Sequence, residues 1–249
     1  MEPKVSILFH NYYGNDEEWL SFFADRFSRP FNLLYNCVSG SYFRQLGYCG
    51  GLNTNKHYSF PSSNRLYIKE STNRGKDIGG KLVLMDTYLK LELKSDYILL
   101  LHDKQSPYHS NSLQWRKDLY RIVEKECQEI VWDIFKDNPS VGIVASKNAV
   151  RNELHNLQGR NAYVDSEFIK ILKKKYGIYT SNLEYIAGTM FWVRAALFEE
   201  YFTQYTPLQI RSTLEEGNIM DEDLATYAHA WERLLSWIVT AKGYKIKGV

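Results

Sequence analysis

Cysteine is scarce in this chain of 249 residues: Cys37, Cys49 and Cys127 are the whole supply. The number is odd and no Cys-x-x-Cys pair occurs, which argues against a secreted disulfide framework and against a zinc knuckle. An excess of charge is also missing. Lys and Arg number 31 against 29 Asp and Glu, a net charge of +2, so the balance exerts no strong pull toward nucleic acid. No apolar run is long enough to cross a bilayer. Met1-Glu2-Pro3-Lys4 leads at once into a strand-like run, without the pattern of a secretory leader. No Gly-x-x-x-x-Gly-Lys-Ser/Thr loop occurs, which disfavours a kinase-like phosphate-handling enzyme. These absences together predict a soluble protein of a reducing, cytoplasmic compartment. The run Lys173-Lys174-Lys175 leaves peripheral contact with anionic lipid or polysaccharide open, against the plainer reading of a solvated helix end.

Apolar residues make up 44% of the chain, enough at this length to bury a core without disulfide or metal staples. Aromatic residues reach 15%, with 19 Tyr and 6 Trp. Such rings line sugar and nucleoside sites, and they equally build plain aromatic cores.

Short apolar runs alternate with amphipathic ones. Strands are predicted at Val5–His10, Asn32–Val38, Arg65–Glu70, Tyr97–Leu101 and Val141–Ala145, and one more inside Glu184–Arg194. Tyr244–Lys247 reads as a final edge strand. Helices are predicted from Asp16 to Pro30, from the 73–80 loop to Leu93, from Ser112 to Lys136, from Val164 to Tyr176, briefly from Ala195, and from Asp221 to Lys242. Residues 39–64 and 146–162 read as loop. The alternation predicts an α/β layer structure around a mostly parallel central sheet flanked by helices, with one domain over residues 1–249. In such sheets ligands sit beyond the carboxyl ends of the strands. Polar residues follow three strands directly: His10-Asn11-Tyr12, Asn73-Arg74-Gly75-Lys76-Asp77, and His102-Asp103-Lys104.

The blocks Asn73–Gly80, Asp96–Ser106, Asn138–Val144, Ala187–Trp192 and His229–Leu234, in that order, resemble the rhamnan synthesis protein F family. The resemblance runs from about Val5 to Arg233. It implies a GT-A-like, Rossmann-related fold and a glycosyltransferase that takes a nucleotide-sugar donor, L-rhamnose being the sugar suggested. The acceptor implied is a glycan or lipid-linked glycan of a cell-surface polysaccharide. One departure stands out. The family tends to carry Asp-Gly-Thr just before its His-Ala-x-Glu-Arg block, and here Asp223-Leu-Ala-Thr-Tyr-Ala-His229 offsets the acid.

Beside this resemblance the residues carry a chemistry of their own. Gly75, Gly79 and Gly80 permit close backbone approach to a ligand. Arg74 and Lys76 suit a diphosphate and Asp77 a sugar or ribose hydroxyl, at a helix start with free N–H groups. His102-Asp103-Lys104 stands where many GT-A enzymes hold a divalent metal with Asp-x-Asp. Charge builds on the diphosphate as the glycosidic bond breaks, and a cation must meet it. Lys104 supplies that cation directly, or else His102 and Asp103 hold Mn²⁺ or Mg²⁺. Asp221 and Asp223 are candidates for the general base that takes the acceptor proton, Asp223 first, with Glu215 and Glu216 as alternates. His229, Glu232 and Arg233 share one helix face, where His229 and Arg233 reach donor phosphates or where all three anchor the helix. Gly188 and Thr189 let a sugar approach the backbone, and Tyr12 or Tyr13 stacks on the base. The reading is therefore an inverting glycosyltransferase, and its alternative is a non-catalytic module that binds nucleotide sugar or glycan in a larger assembly.

Overall fold

A computed structural model describes residues 3–39, 64–105, 111–154, 167–219 and 226–249. Its strands are β1 (Val5–Asn11), β2 (Phe31–Val38), β3 (Arg65–Ser71), β4 (Tyr97–His102), β5 (Val141–Ala145), β6 (Val150–Asn152), β7 (Glu184–Ile186), β8 (Phe191–Arg194) and β9 (Lys245–Gly248). Its helices are α1 (Asp16–Arg26), α2 (Lys76–Lys90), α3 (Ser112–Tyr120), α4 (Lys125–Asp137), α5 (Glu167–Lys175), α6 (Ala195–Gln204), α7 (Pro207–Ser212) and α8 (Tyr227–Thr240).

Seven strands form one sheet in the order β3-β2-β1-β4-β8-β5-β9. The pairs β3–β2, β2–β1, β1–β4 and β5–β9 are parallel, while β8 runs antiparallel to both β4 and β5. The architecture is the Rossmann-like, mostly parallel α/β sheet that the alternating pattern predicts. The runs of β1, β4 and β5 are apolar on consecutive residues because both sheet faces are covered. Phe9 packs against Trp19 and Phe23 of α1, with ring centroids 4.7 and 5.0 Å away. Its neighbour His10 faces the opposite way, toward Gly80 of α2. In β8, Trp192 meets Trp132 of α4 and Phe191 meets Phe198 of α6. Helices α1 and α4 thus cover one face, and α2 and α6 the other. Helix α8 joins the second face, where Val239 lies over Gly142 of β5.

Several expectations are corrected. The helix expected over Ser112–Lys136 is broken into α3, a 3₁₀ turn at Arg121–Val123, and α4. Glu124 is extended there, with φ −66° and ψ 141°. Burying Ile122 and Val123 drives the break, and side chains satisfy the carbonyls it frees: Trp192 Nε1 donates to Ile122 O, and Gln128 Nε2 to Val123 O. The loop expected at 146–162 holds a 3₁₀ turn and β6, which pairs antiparallel with β7. The single strand expected in Glu184–Arg194 is two, β7 and β8, divided by a turn. The last helix begins at Tyr227 rather than Asp221: Thr226 is extended and its hydroxyl caps His229 N. Residues 40–63, most of the expected 39–64 loop, lie outside the described residues, as do Asp221 and Asp223.

Candidate functional site

The chain leaves β1 for β2 on one side and returns to β4 on the other. The carboxyl ends of β1 and β4 are therefore the topological switch point, where open α/β sheets take their ligands. Parallel register sets Lys69, Asn36, His10 and His102 side by side across four strands at this edge. Helix α2 comes down on the row closely: a Cβ at Gly80 would stand 1.9 Å from His10 Nδ1, and one at Gly79 1.7 Å from Arg74 O. Both positions need glycine for space.

The centre of the site is a side chain that the sequence reading passed over. Lys81, 2% exposed, points its Nζ into the edge. Its neighbours there are Asp77 Oδ2 at 2.9 Å, His102 Nδ1 at 3.0 Å, Thr189 O at 2.9 Å and Thr189 Oγ1 at 2.5 Å. The Thr189 hydroxyl in turn donates to Asp77 Oδ2 at 2.6 Å. The signal was present in the sequence. Lys81 lies between Ile78, Leu82 and Met85 on the buried stripe of α2, and four residues after Asp77, a spacing that sets the two on one helix face.

The electrostatics follow from this packing. Burial pushes the Asp77 carboxyl up, but the Lys81 ammonium and the hydrogen bonds from Thr189 and Lys81 outweigh it and hold the group well below the usual range. Burial pulls Lys81 down, and Asp77 opposes that pull. Burial lowers His10 to about 4, and burial with the help of Lys81 and Lys104 holds His102 well below its ordinary value. Both imidazoles are neutral at neutral pH. His102 Nδ1 lies 3.0 Å from Lys81 Nζ, whose three hydrogens are shared among Asp77, Thr189 and this imidazole. Lys104, half-buried just after β4, is close enough to depress both Lys81 and His102.

The other candidates divide. Asn11 is committed inside the fold: Nδ2 donates to Asp16 Oδ1 and to the Tyr35 hydroxyl, and Oδ1 accepts from Gly14 N. It shapes the β1–α1 turn on the face away from Lys81. Asp103 is buried and takes the backbone N–H groups of Tyr12 and Tyr13 on its two oxygens. Burial nevertheless raises it to about 8, with those hydrogen bonds opposing. Tyr12 accepts from Asn218 Nδ2, and Asn73 donates to Asn218 Oδ1, so these two candidates meet through Asn218. Arg74 donates to Leu214 O and pairs with Glu216, and Gly75 N donates to Glu215 O. The Glu215 carboxylate accepts from Tyr227 N and Ala228 N and so caps α8. These contacts strap the 212–218 segment along the Asn73–Asp77 loop. Gly188 N donates to Glu232 Oε1, and Glu232 also pairs with Arg233. Arg233 is buried against Glu153 and the Tyr185 hydroxyl, and its Nη1 donates to His229 O. Its guanidinium therefore anchors α8 to β7 and to Glu153 just after β6 rather than reaching toward the edge. His229 Nδ1 lies 2.6 Å from the Thr226 hydroxyl.

Among the described residues no group of three or more His, Cys, Asp and Glu side chains is placed to hold a metal ion. His102 and Asp103 do not fit one ion together. His102 Nδ1 faces an ammonium, and both oxygens of Asp103 face backbone N–H groups.

Fold and edge define a Rossmann-like α/β protein with a polar, lysine-bearing cluster at its switch point. Within that class the assignment is specific: the family model described as rhamnan synthesis protein F matches residues 2–244, and the chain belongs to this family. No curated protein matches the chain.

Proposed function

We propose that the chain is a GT-A-like glycosyltransferase of rhamnan synthesis. It moves a sugar, L-rhamnose in the first instance, from a nucleoside-diphosphate donor to a hydroxyl of a cell-surface polysaccharide or its lipid-linked precursor. The observation that carries this reading is the switch-point edge, where Lys81 joins Asp77 to the neutral His102 and Lys104 is close enough to act on both Lys81 and His102. In this reading the donor diphosphate lies toward Lys104, whose ammonium meets the charge that grows as the anomeric C–O bond breaks. The acceptor oxygen forms the new bond from the opposite side of the ring, with inversion, and its proton passes to a carboxylate. Asp223 is that base and Asp221 its alternate. Family membership supports the class of reaction. A polysaccharide or lipid-linked acceptor implies work at a membrane surface, and no helix among the described residues is long and apolar enough to cross one.

The test is a thermal-shift panel of nucleoside diphosphates and their sugars, with Mn²⁺ and with EDTA, followed by donor turnover. Binding at a hundredfold excess over Kd adds about 2.7 kcal/mol of apparent stability. A shift with one nucleotide that survives EDTA, and turnover that Lys104→Ala abolishes, are expected. No shift with any nucleotide from a folded sample would refute the reading. Binding without turnover would move the chain to the class of non-catalytic sugar-nucleotide modules.

A further inference from the structure

Thr189 sits at φ 50°, in the left-handed region that β-branched residues avoid, and follows Gly188 at φ 78°. It is 1% exposed, so solvent does not hold it there. Lys81 does, from α2: its ammonium donates to both the carbonyl and the hydroxyl of Thr189, and the hydroxyl passes on to Asp77. Glu232 holds the other side of the turn through Gly188 N.

Each half of this arrangement is unfavourable alone. An apolar residue at 81 would continue the Ile78, Leu82, Met85 stripe without burying a charge. A glycine at 189 would adopt positive φ freely. The two choices make sense only together, and strain of this kind persists where its surroundings over-determine it.

We infer that Lys81 is a positioning residue that pins the Gly188–Thr189 turn in its left-handed form and sets it against Asp77 and His102 as one wall of the sugar pocket. The wall's role rests on the transferase reading; the latch itself does not.

Amide hydrogen exchange and donor kinetics test the two separately. In Lys81→Met, exchange at residues 187–190 is expected to speed up about tenfold or more while β1 and β4 amides keep their protection. The value of kcat/KM is expected to fall about tenfold or more. Adding Thr189→Gly to Lys81→Met is expected to restore activity in part, because the turn then needs no latch. A merely structural lysine would not be rescued by a glycine on another element. If Lys81→Met does not fold, Thr189→Val keeps the lysine and the side-chain shape, removes the hydroxyl, and is expected to raise exchange at the same amides. Unchanged exchange at 187–190 in the folded variant would overturn the inference. Faster exchange in the variant, with no turnover by the unaltered chain, would support the latch and sink the transferase reading instead.

Discussion

Asp103→Asn offers the sharpest test of the electrostatics at the end of β4. The carboxyl is 5% exposed and raised to about 8, so across neutral pH the folded chain holds a proton that the unfolded chain has released. A carboxyl raised in this way contributes stability that is fully present below its unfolded value and is lost as pH rises through about 8. From pH 5 to pH 7 one proton separates the two states. Each pH unit then weakens folding about tenfold, a total of about 3 kcal/mol. His10 and His102 work in the opposite direction. Both are lowered, His10 to about 4, so their burial costs stability when they would otherwise be charged, and that cost falls as pH rises toward their unfolded value. The wild-type profile alone therefore mixes opposing slopes, and the difference between wild type and variant removes the imidazoles. Asparagine turns an NH₂ toward one of the two backbone donors, a roughly constant penalty of about 1–3 kcal/mol. The slope carries the information and the offset does not. Urea unfolding followed by tryptophan fluorescence at pH 5, 6 and 7 measures it. The gap between the proteins is expected to change by about 3 kcal/mol over that range, in favour of the variant at higher pH. Parallel profiles would refute the reasoning, and would mean that the N–H groups of Tyr12 and Tyr13 keep Asp103 ionised despite its burial.

Two further outcomes are expected. Gly80→Ala drives a methyl into the His10 ring and is expected to cost about 2 kcal/mol or more, read as a lower urea midpoint; an unchanged midpoint would mean that α2 can lift off β1 freely. Glu215→Gln removes the charge and one of the two acceptors at the start of α8 and is expected to cost about 1 kcal/mol, a fall of about 2–4 °C in Tm, with no change counting against the cap.

The sheet was legible because its signals are local. Continuous apolar runs mark β1, β4 and β5, and the polar residues that follow β1, β3 and β4 do gather at one edge. What was not legible depends on partners distant in sequence. The break between α3 and α4 contains no proline or glycine; it answers to Trp192 and Gln128, whose side chains take up the freed carbonyls. Arg233 reads as a phosphate ligand until Glu153, eighty positions earlier, is found against it. Asp103 reads as a metal ligand until its oxygens are seen on the β1–α1 turn. Lys81 was concealed by the ordinary expectation that a helical lysine faces water.

The reversed direction of β8 has a consequence for how this family can vary. Every parallel strand delivers the loop that leaves it to the carboxyl edge, but β8 delivers the loop that enters it, because Phe191 stands beside Leu100 near the end of β4. One side of the edge is thus furnished by a turn between strands of different sheets, β7 with β6 and β8 with the main one. Changes of length or composition in that turn would reshape one side of the edge without shifting the register of the four-strand row. The reversed strand separates the part of the site that can diversify from the part that must stay fixed.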